Sequence, residues 1–148
     1  MIFASIPLIA LDHASAAGAA DISGFWLTKD GEAVIEMFAC EQARRCGSVA
    51  WLKKPLGADG RPLADVNNTD EKLRNRRVCG LVIAWGLSEQ PDGSWGNGRG
   101  YDPDDGKSYT VDVALIANDQ LSFTGYVGIR LLGRTETWTR APTGLNGC

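Results

Sequence analysis

The sequence predicts an all-β fold: an antiparallel up-and-down β-barrel of about eight strands, with one long loop carrying a short helix. Three observations predict it. From Asp21 onward the apolar residues recur mainly at every second position, in short segments. Between the segments stand turn residues that accept positive φ, as in Lys29-Asp30-Gly31, Pro91-Asp92-Gly93, Asp104-Asp105-Gly106 and Asn118-Asp119. Most connections are short, which suits hairpins joined into a closed meander, with a two-sheet sandwich as the alternative.

In chain order the strands are expected at Gly24–Thr28, Ala33–Ala39, Gly47–Leu52, Val78–Trp85, Ser94–Tyr101, Lys107–Ile116, Gln120–Val127 and Arg134–Arg140. Val78–Trp85 is apolar on both faces, as a central or wrapped strand requires. Lys107–Ile116 alternates most clearly, with Tyr109, Val111, Val113 and Leu115 opposite Ser108, Thr110 and Asp112. In Gln120–Val127, Leu121 and Phe123 face away from Ser122 and Thr124. The last segment sets Glu136, Trp138 and Arg140 opposite Thr135, Thr137 and Thr139. One connection breaks this rhythm: Lys53–Arg77 is 25 residues long and has no strand pattern. A connection of that length carries function or its own structure. Asn68 followed by Glu71 resembles a capping box, which predicts a short helix over Thr69–Asn75.

The chain of 148 residues is long enough for one domain and too short for two. Its N-terminus reads as an export signal spanning residues 1–20. An apolar run from Ile2 to Leu11 is followed by the small residues ASAAGAA, although no Lys or Arg precedes the run. The run is shorter than the roughly 20 apolar residues a membrane span needs, and no other segment qualifies. The expected mature chain, 21–148, is therefore periplasmic or secreted. The only histidine, His13, lies in the removed segment. A mature domain without imidazole has no Ser-His-Asp or Cys-His chemistry and no histidine metal site. The formal net charge of −3 gives no electrostatic footprint for nucleic acid.

Export permits disulfides. Cys40 and Cys46 flank the polar, turn-like EQARR and read as a structural staple between two strands, worth about 2 kcal/mol by loop entropy. Cys79 sits in an apolar run and reads most simply as a buried thiol. Cys148 is open to pairing with Cys79, pairing between chains, or remaining free.

Candidate sites are oxygen-rich, basic or aromatic. Asp102, Asp104 and Asp105 would hold a cation or build an Asp-Gly turn, and they lack EF-hand spacing. Asp65, Asn67, Asn68 and Asp70 would bind calcium, or supply Asx-turns and a helix cap. Arg74 and Arg76 would hold an anion at a barrel mouth, or pair with Asp65, Asp70 or Glu71. Of five tryptophans, Trp26, Trp51, Trp85 and Trp138 fall in strand patterns and read as core, leaving Trp95 the freest for stacking. The expected ligand-binding set is Arg74, Arg76, Asp65, Asn68, Tyr101, Asp102 and Trp95. No catalytic residue, metal or cofactor is expected.

The order of motifs identifies a resemblance. GFWLT at 24–28, the Cys40/Cys46 pair before VAWLKKP, DVNNTDEKLRNRR at 65–77, GLVIAWGL at 80–87, YDPDDGKSY at 101–109 and GYVGIRLLGRTETWTR at 125–140 together resemble the bacterial family of exported proteins called domain of unknown function 2147. Arg77 stands where that family usually has proline, and Cys79 is a second departure. Gly24-Phe25-Trp26 on the first strand and Arg140 ending the last also resemble the structural signature of lipocalins and other calycins. That resemblance implies an arginine stacked on a tryptophan that closes one end of the barrel, a contact worth roughly 0.5–2 kcal/mol. The leading expectation is a non-enzymatic barrel that binds a small-molecule ligand. A second is an envelope protein-interaction module acting through the 53–77 loop. A third is a histidine-free enzyme acting on a cell-envelope glycan, which needs Glu36 or Glu136 to point inward beside another carboxylate.

Overall fold

The computed structural model describes residues 18–148; the proposed export signal lies outside the described residues up to residue 17. The chain forms a closed barrel in which eight antiparallel strands follow one another in sequence order. These are β1 (Gly24–Leu27), β2 (Ala33–Cys40), β3 (Arg44–Leu52), β4 (Val82–Glu89), β5 (Trp95–Asp102), β6 (Lys107–Ala117), β7 (Gln120–Tyr126) and β8 (Arg134–Arg140). Closure is made by β1 against β8, with Trp26 opposite Arg140 and Leu27 opposite Thr139. Joining first strand to last removes both sheet edges and their unpaired backbone groups.

All eight expected strands form, and one is displaced. The apolar run at Val78 belongs to the long connection: the Val78 amide bonds Leu63 and the Gly80 amide bonds Val49. β4 begins four residues later and runs past Trp85, because Gly86 takes φ +69° and lets the strand bend on to Leu87. The expected helix shrinks to a single 3-10 turn, Glu71–Leu73. Asp70, not Asn68, caps it by accepting the Lys72 amide, while Asn68 turns back to accept from the Asp70 amide.

The up-and-down order gives the barrel two distinct ends. One holds the N-terminal segment and the β2–β3, β4–β5 and β6–β7 turns; the other holds the β1–β2, β5–β6 and β7–β8 connections and the long 53–81 connection. The interior near the first end is filled by Trp26, Ile35, Met37, Leu87, Val113 and Leu121, all fully buried or nearly so. Gly47 admits Met37 there: a Cβ on Gly47 would lie 2.8 Å from the Met37 sulfur.

Two disulfides fix the periphery. Cys40–Cys46 ties the β2–β3 turn with a Cα separation of 5.9 Å, as the spacing predicts. Cys79 is not a free buried thiol; it bonds Cys148, with Cα atoms 5.6 Å apart. The C-terminal tail leaves β8 through the Ala141 amide on Phe25 and ends beside Val49, which brings Cys148 to the start of β4. Closing so large a loop is worth about 4 kcal/mol in the chain-entropy account.

Candidate functional site

The filled end is sealed by two aromatic–guanidinium pairs. The Arg140 guanidinium lies 3.9 Å from the Trp26 ring centroid, donates to the Ser23 carbonyl at 2.8 Å through Nη1, and reaches the Asn118 carbonyl at 3.0 Å through Nε. The Trp26 indole N–H donates to Ile22. Gly24 is required beneath this stack. Its φ is +117°, and a Cβ there would stand 2.8 Å from Arg140 Nη1. The second pair is Arg45 over Trp95, 4.5 Å from the centroid. Trp95, expected as the freest tryptophan, is 2% exposed, and its indole N–H is taken by the Ala20 carbonyl at 2.8 Å. Trp85, expected in the core, is the one that faces solvent at 39% exposure. The N-terminal segment, crossing this end through Ala20 and Ile22, corks it.

The residues expected to bind a ligand from the long connection instead serve the fold. Asp65 is fully buried with both oxygens hydrogen-bonded: it accepts from Tyr101 Oη at 2.5 Å, from Asn68 Nδ2 at 2.9 Å and from Arg76 Nε at 2.8 Å. Burial alone would raise the Asp65 carboxyl, but these three donors outweigh it and hold the group below its usual range. The Tyr101 phenol is pushed up by burial and by the carboxylate it faces. Arg76 also lies over the Tyr101 ring, 5.4 Å from its centroid. Arg74 donates to the Asn68 carbonyl and pairs with Glu71 at 3.8 Å. Since Gly100 faces the barrel interior against Tyr109, its neighbour Tyr101 points outward, so this cluster pins the long connection to the outside of β5. Asn67 extends the clasp by donating to the Pro103 and Asp104 carbonyls, and Gly106 leaves room for the Asn67 carbonyl.

The other end is open. A cavity of about 390 Å³ descends into the barrel, and a cleft of about 600 Å³ adjoins it between the β5–β6 turn and the β7–β8 connection. Asp102, Tyr109, Glu136 and Trp138 line both. Their placement follows from strand alternation. Tyr109 is on the inward face of β6, Glu136 and Trp138 share the inward face of β8, and Asp102 follows the outward Tyr101 on β5. Two glycines on the neighbouring strands make the shelf for Tyr109: a Cβ on Gly100 would lie 2.5 Å, and one on Gly125 2.9 Å, from its ring. Phe123 stacks on Trp138 with centroids 4.2 Å apart, and the Trp138 indole N–H donates to Glu136 Oε2 at 3.2 Å.

Of the expected ligand-binding set, only Asp102 lines both of these spaces; Tyr101 borders the mouth from β5. The Asp102 carboxyl is pushed above its ordinary value by burial and by the nearby charges of Asp105, Asp104 and Glu136, against the lowering effect of the Asp104 amide. Desolvation, reinforced by Asp102, Asp105 and Glu136, also raises the Tyr109 phenol far above its usual value. Asp105 accepts the Lys107 amide, and so does serve the turn. Of the two glutamates expected to turn inward, Glu136 lines the cavity and Glu36, between the buried Ile35 and Met37, faces outward; Glu32 also lines the cavity. The signal missed in the sequence is that Glu136 shares its strand face with Trp138, while glycines on both neighbouring strands oppose Tyr109. Among the described residues, no three His, Cys, Asp or Glu side chains converge as a metal site would require. No helix among them is long and apolar enough to cross a membrane.

Comparison with known proteins agrees with this architecture. A solved structure, protein HP1028 from the human pathogen Helicobacter pylori, described as belonging to the lipocalin family, is similar with a TM-score of 0.70 and 27% identity. The match covers 84% of this chain and 86% of that one. No curated protein matches significantly. The family pattern described as an uncharacterized protein conserved in bacteria matches residues 24–140, from the glycine under the stack to the arginine that forms it. The chain belongs to the domain of unknown function 2147 family.

Proposed function

We propose that the chain is an exported, small-ligand-binding barrel whose site is the open mouth around Asp102, Tyr109, Glu136 and Trp138. The observation that carries this reading is the cavity of about 390 Å³ above a filled lower core. It is within the size range of small-molecule sites and concave, with the rings of Tyr101, Tyr109 and Trp138 and a rim of charged groups that includes Asp30, Glu32, Asp102 and Glu136. The similar lipocalin-family structure supports it, since eight-stranded barrels hold one small ligand when side chains leave the space. Two disulfides support an oxidising, extracytoplasmic location.

Native mass spectrometry on protein isolated from its own periplasm tests the reading. The expected result is a non-covalent adduct that is lost on denaturation and absent from Glu136→Trp, which fills the mouth. A bare chain for both proteins overturns it.

One observation favours a second reading, in which the chain docks on an envelope partner. Val127, Ile129, Leu131 and Leu132 are all exposed in the β7–β8 connection, Leu131 by 89%. This is a denser apolar patch than Leu56 and Val66 of the long connection provide. A Leu131→Ser/Leu132→Ser double variant that loses a co-purifying envelope protein while keeping its small-molecule adduct would separate docking from ligand binding. The glycan-processing reading has the inward glutamate it required, beside Asp102. Turnover of a cell-wall glycan abolished by Glu136→Gln would make the mouth an active site.

A further inference from the structure

Three of the barrel's aromatic side chains carry a cation from the chain itself. Trp26 is covered by Arg140, Trp95 by Arg45, and Tyr101 by Arg76. In each case the chain itself places a guanidinium over the ring. In the third case a carboxylate completes the arrangement, so Asp65, Arg76 and Tyr101 form an acid–cation–aromatic triad.

The mouth holds two of those three components. Tyr109 and the Phe123–Trp138 stack supply aromatic walls, and Asp102 and Glu136 supply the carboxylates common to both spaces, with Asp30, Glu32 and Asp104 also lining the cavity and Asp105 the cleft. The cation is not supplied by the chain. Among the described residues, no arginine or lysine lies over these rings, and none pairs with Asp102 or Glu136. Lys107 and Arg134 border the cleft and Lys54 the mouth, and all three are exposed there. The inner polar contacts of the two carboxylates are single: Asp102 accepts the Asp104 amide and Glu136 accepts the Trp138 indole. Each keeps further acceptor capacity, since an ionised carboxylate has about four lone-pair positions.

Resting on the small-ligand reading above, we infer that the mouth selects an organic cation: a small ammonium compound with an apolar body, its charge between Asp102 and Glu136 and its body against Tyr109 and Trp138. An ammonium group gains from the negative faces of the rings and from charge-assisted hydrogen bonds to the carboxylates. An anion would meet two acids at the same place, and the cost of like charges would exclude it. A neutral isostere would keep the apolar contact and a hydrogen bond, without the attraction between opposite charges.

Three probes with the same phenethyl body and different charge separate these cases: phenethylamine, 2-phenylethanol and 3-phenylpropionate. Each is titrated into the full chain by calorimetry and by ligand-observed NMR at low salt. The expected order is phenethylamine tightest, at least ~10-fold over the alcohol, with the carboxylate weakest. Glu136→Gln and Asp102→Asn should each weaken the amine by ~5-fold or more and the alcohol by clearly less, since the alcohol loses only a hydrogen bond without opposite charge. Two variants on different strands keep the test decisive if one folds poorly. Binding of the alcohol or the carboxylate as tight as the amine overturns the cation while leaving the ligand-binding mouth intact. Failure of all three probes to bind at millimolar concentration overturns the cation and counts against the mouth itself.

Discussion

The two ends of the barrel are built from the same kinds of residue and finished differently. At the sealed end two tryptophans carry guanidinium covers, their indole N–H groups are taken by Ile22 and Ala20, and the N-terminal segment crosses the opening. At the open end the tryptophan indole meets a glutamate, the tyrosine rests on glycines, and a carboxylate is held above its usual range by burial. The first arrangement turns both indole N–H groups and both guanidinium faces onto the chain itself. The second leaves acceptor capacity and aromatic surface facing a cavity. On the proposed reading, closure and recognition use one chemistry, and the difference is whether the chain provides the cation.

The largest effect that would break this contrast is expected at the seal. Trp26→Ala removes a fully buried indole, the platform for Arg140 and the bond to Ile22 together. Loss of about 3–5 kcal/mol is expected, read as a lower denaturant midpoint with an unchanged slope. A loss below ~1 kcal/mol would mean that the sealed end is as loosely organised as the open one.

Next comes the clasp on the outside of β5. Arg76→Ala leaves Asp65 buried with one fewer donor, and about 2–3 kcal/mol is expected because Arg76 itself is only partly buried. The pH dependence sharpens the point. Asp65 ionises below its usual value in the folded state. Its contribution is therefore present above the ordinary carboxylate range and is lost as pH falls through the lowered value. Thermal melts at stepped pH should show the wild-type chain destabilised in that acid window, with a shallower decline in Arg76→Ala. An unchanged acid profile would remove Asp65 from the account.

How much of this was legible in sequence divides along the same line. The barrel, its order and the Gly24–Trp26–Arg140 stack are local or terminal signals: strand alternation, turn residues and a motif at each end of the domain. The displaced β4 was not legible, because the apolar Val78 and Leu81 satisfy a wrapped connection as well as a strand. Asp65, Asn68 and Arg76 looked like a ligand set because their residue types are those of a ligand set. Only the approach of Tyr101, 36 positions away, shows that they are already satisfied. The mouth was hidden for the opposite reason. Tyr109, Phe123 and Trp138 alternate as core residues do, and only the closed barrel shows that their end of the interior is left unfilled.

The smallest expected effect has the opposite sign and bears most directly on the open end. Asp102→Asn keeps the shape and the acceptor for the Asp104 amide while removing the charge that burial, Asp105, Asp104 and Glu136 all disfavour. Because the folded-state value lies above the unfolded one, the folded chain holds that proton more tightly. Ionisation of Asp102 therefore costs stability that grows as pH rises from the ordinary carboxylate value through the raised one, and there is no cost below both. The variant should be slightly more stable than the wild type near neutral pH, by under ~0.5 kcal/mol because the group is partly solvated, and indistinguishable in acid. A stabilising substitution at a mouth residue that also lowers amine affinity would mark Asp102 as a group kept for recognition at the expense of the fold. If Asp102→Asn instead destabilises the chain near neutral pH, the carboxylate belongs to the scaffold, and the contrast between the two ends loses one of its two acids.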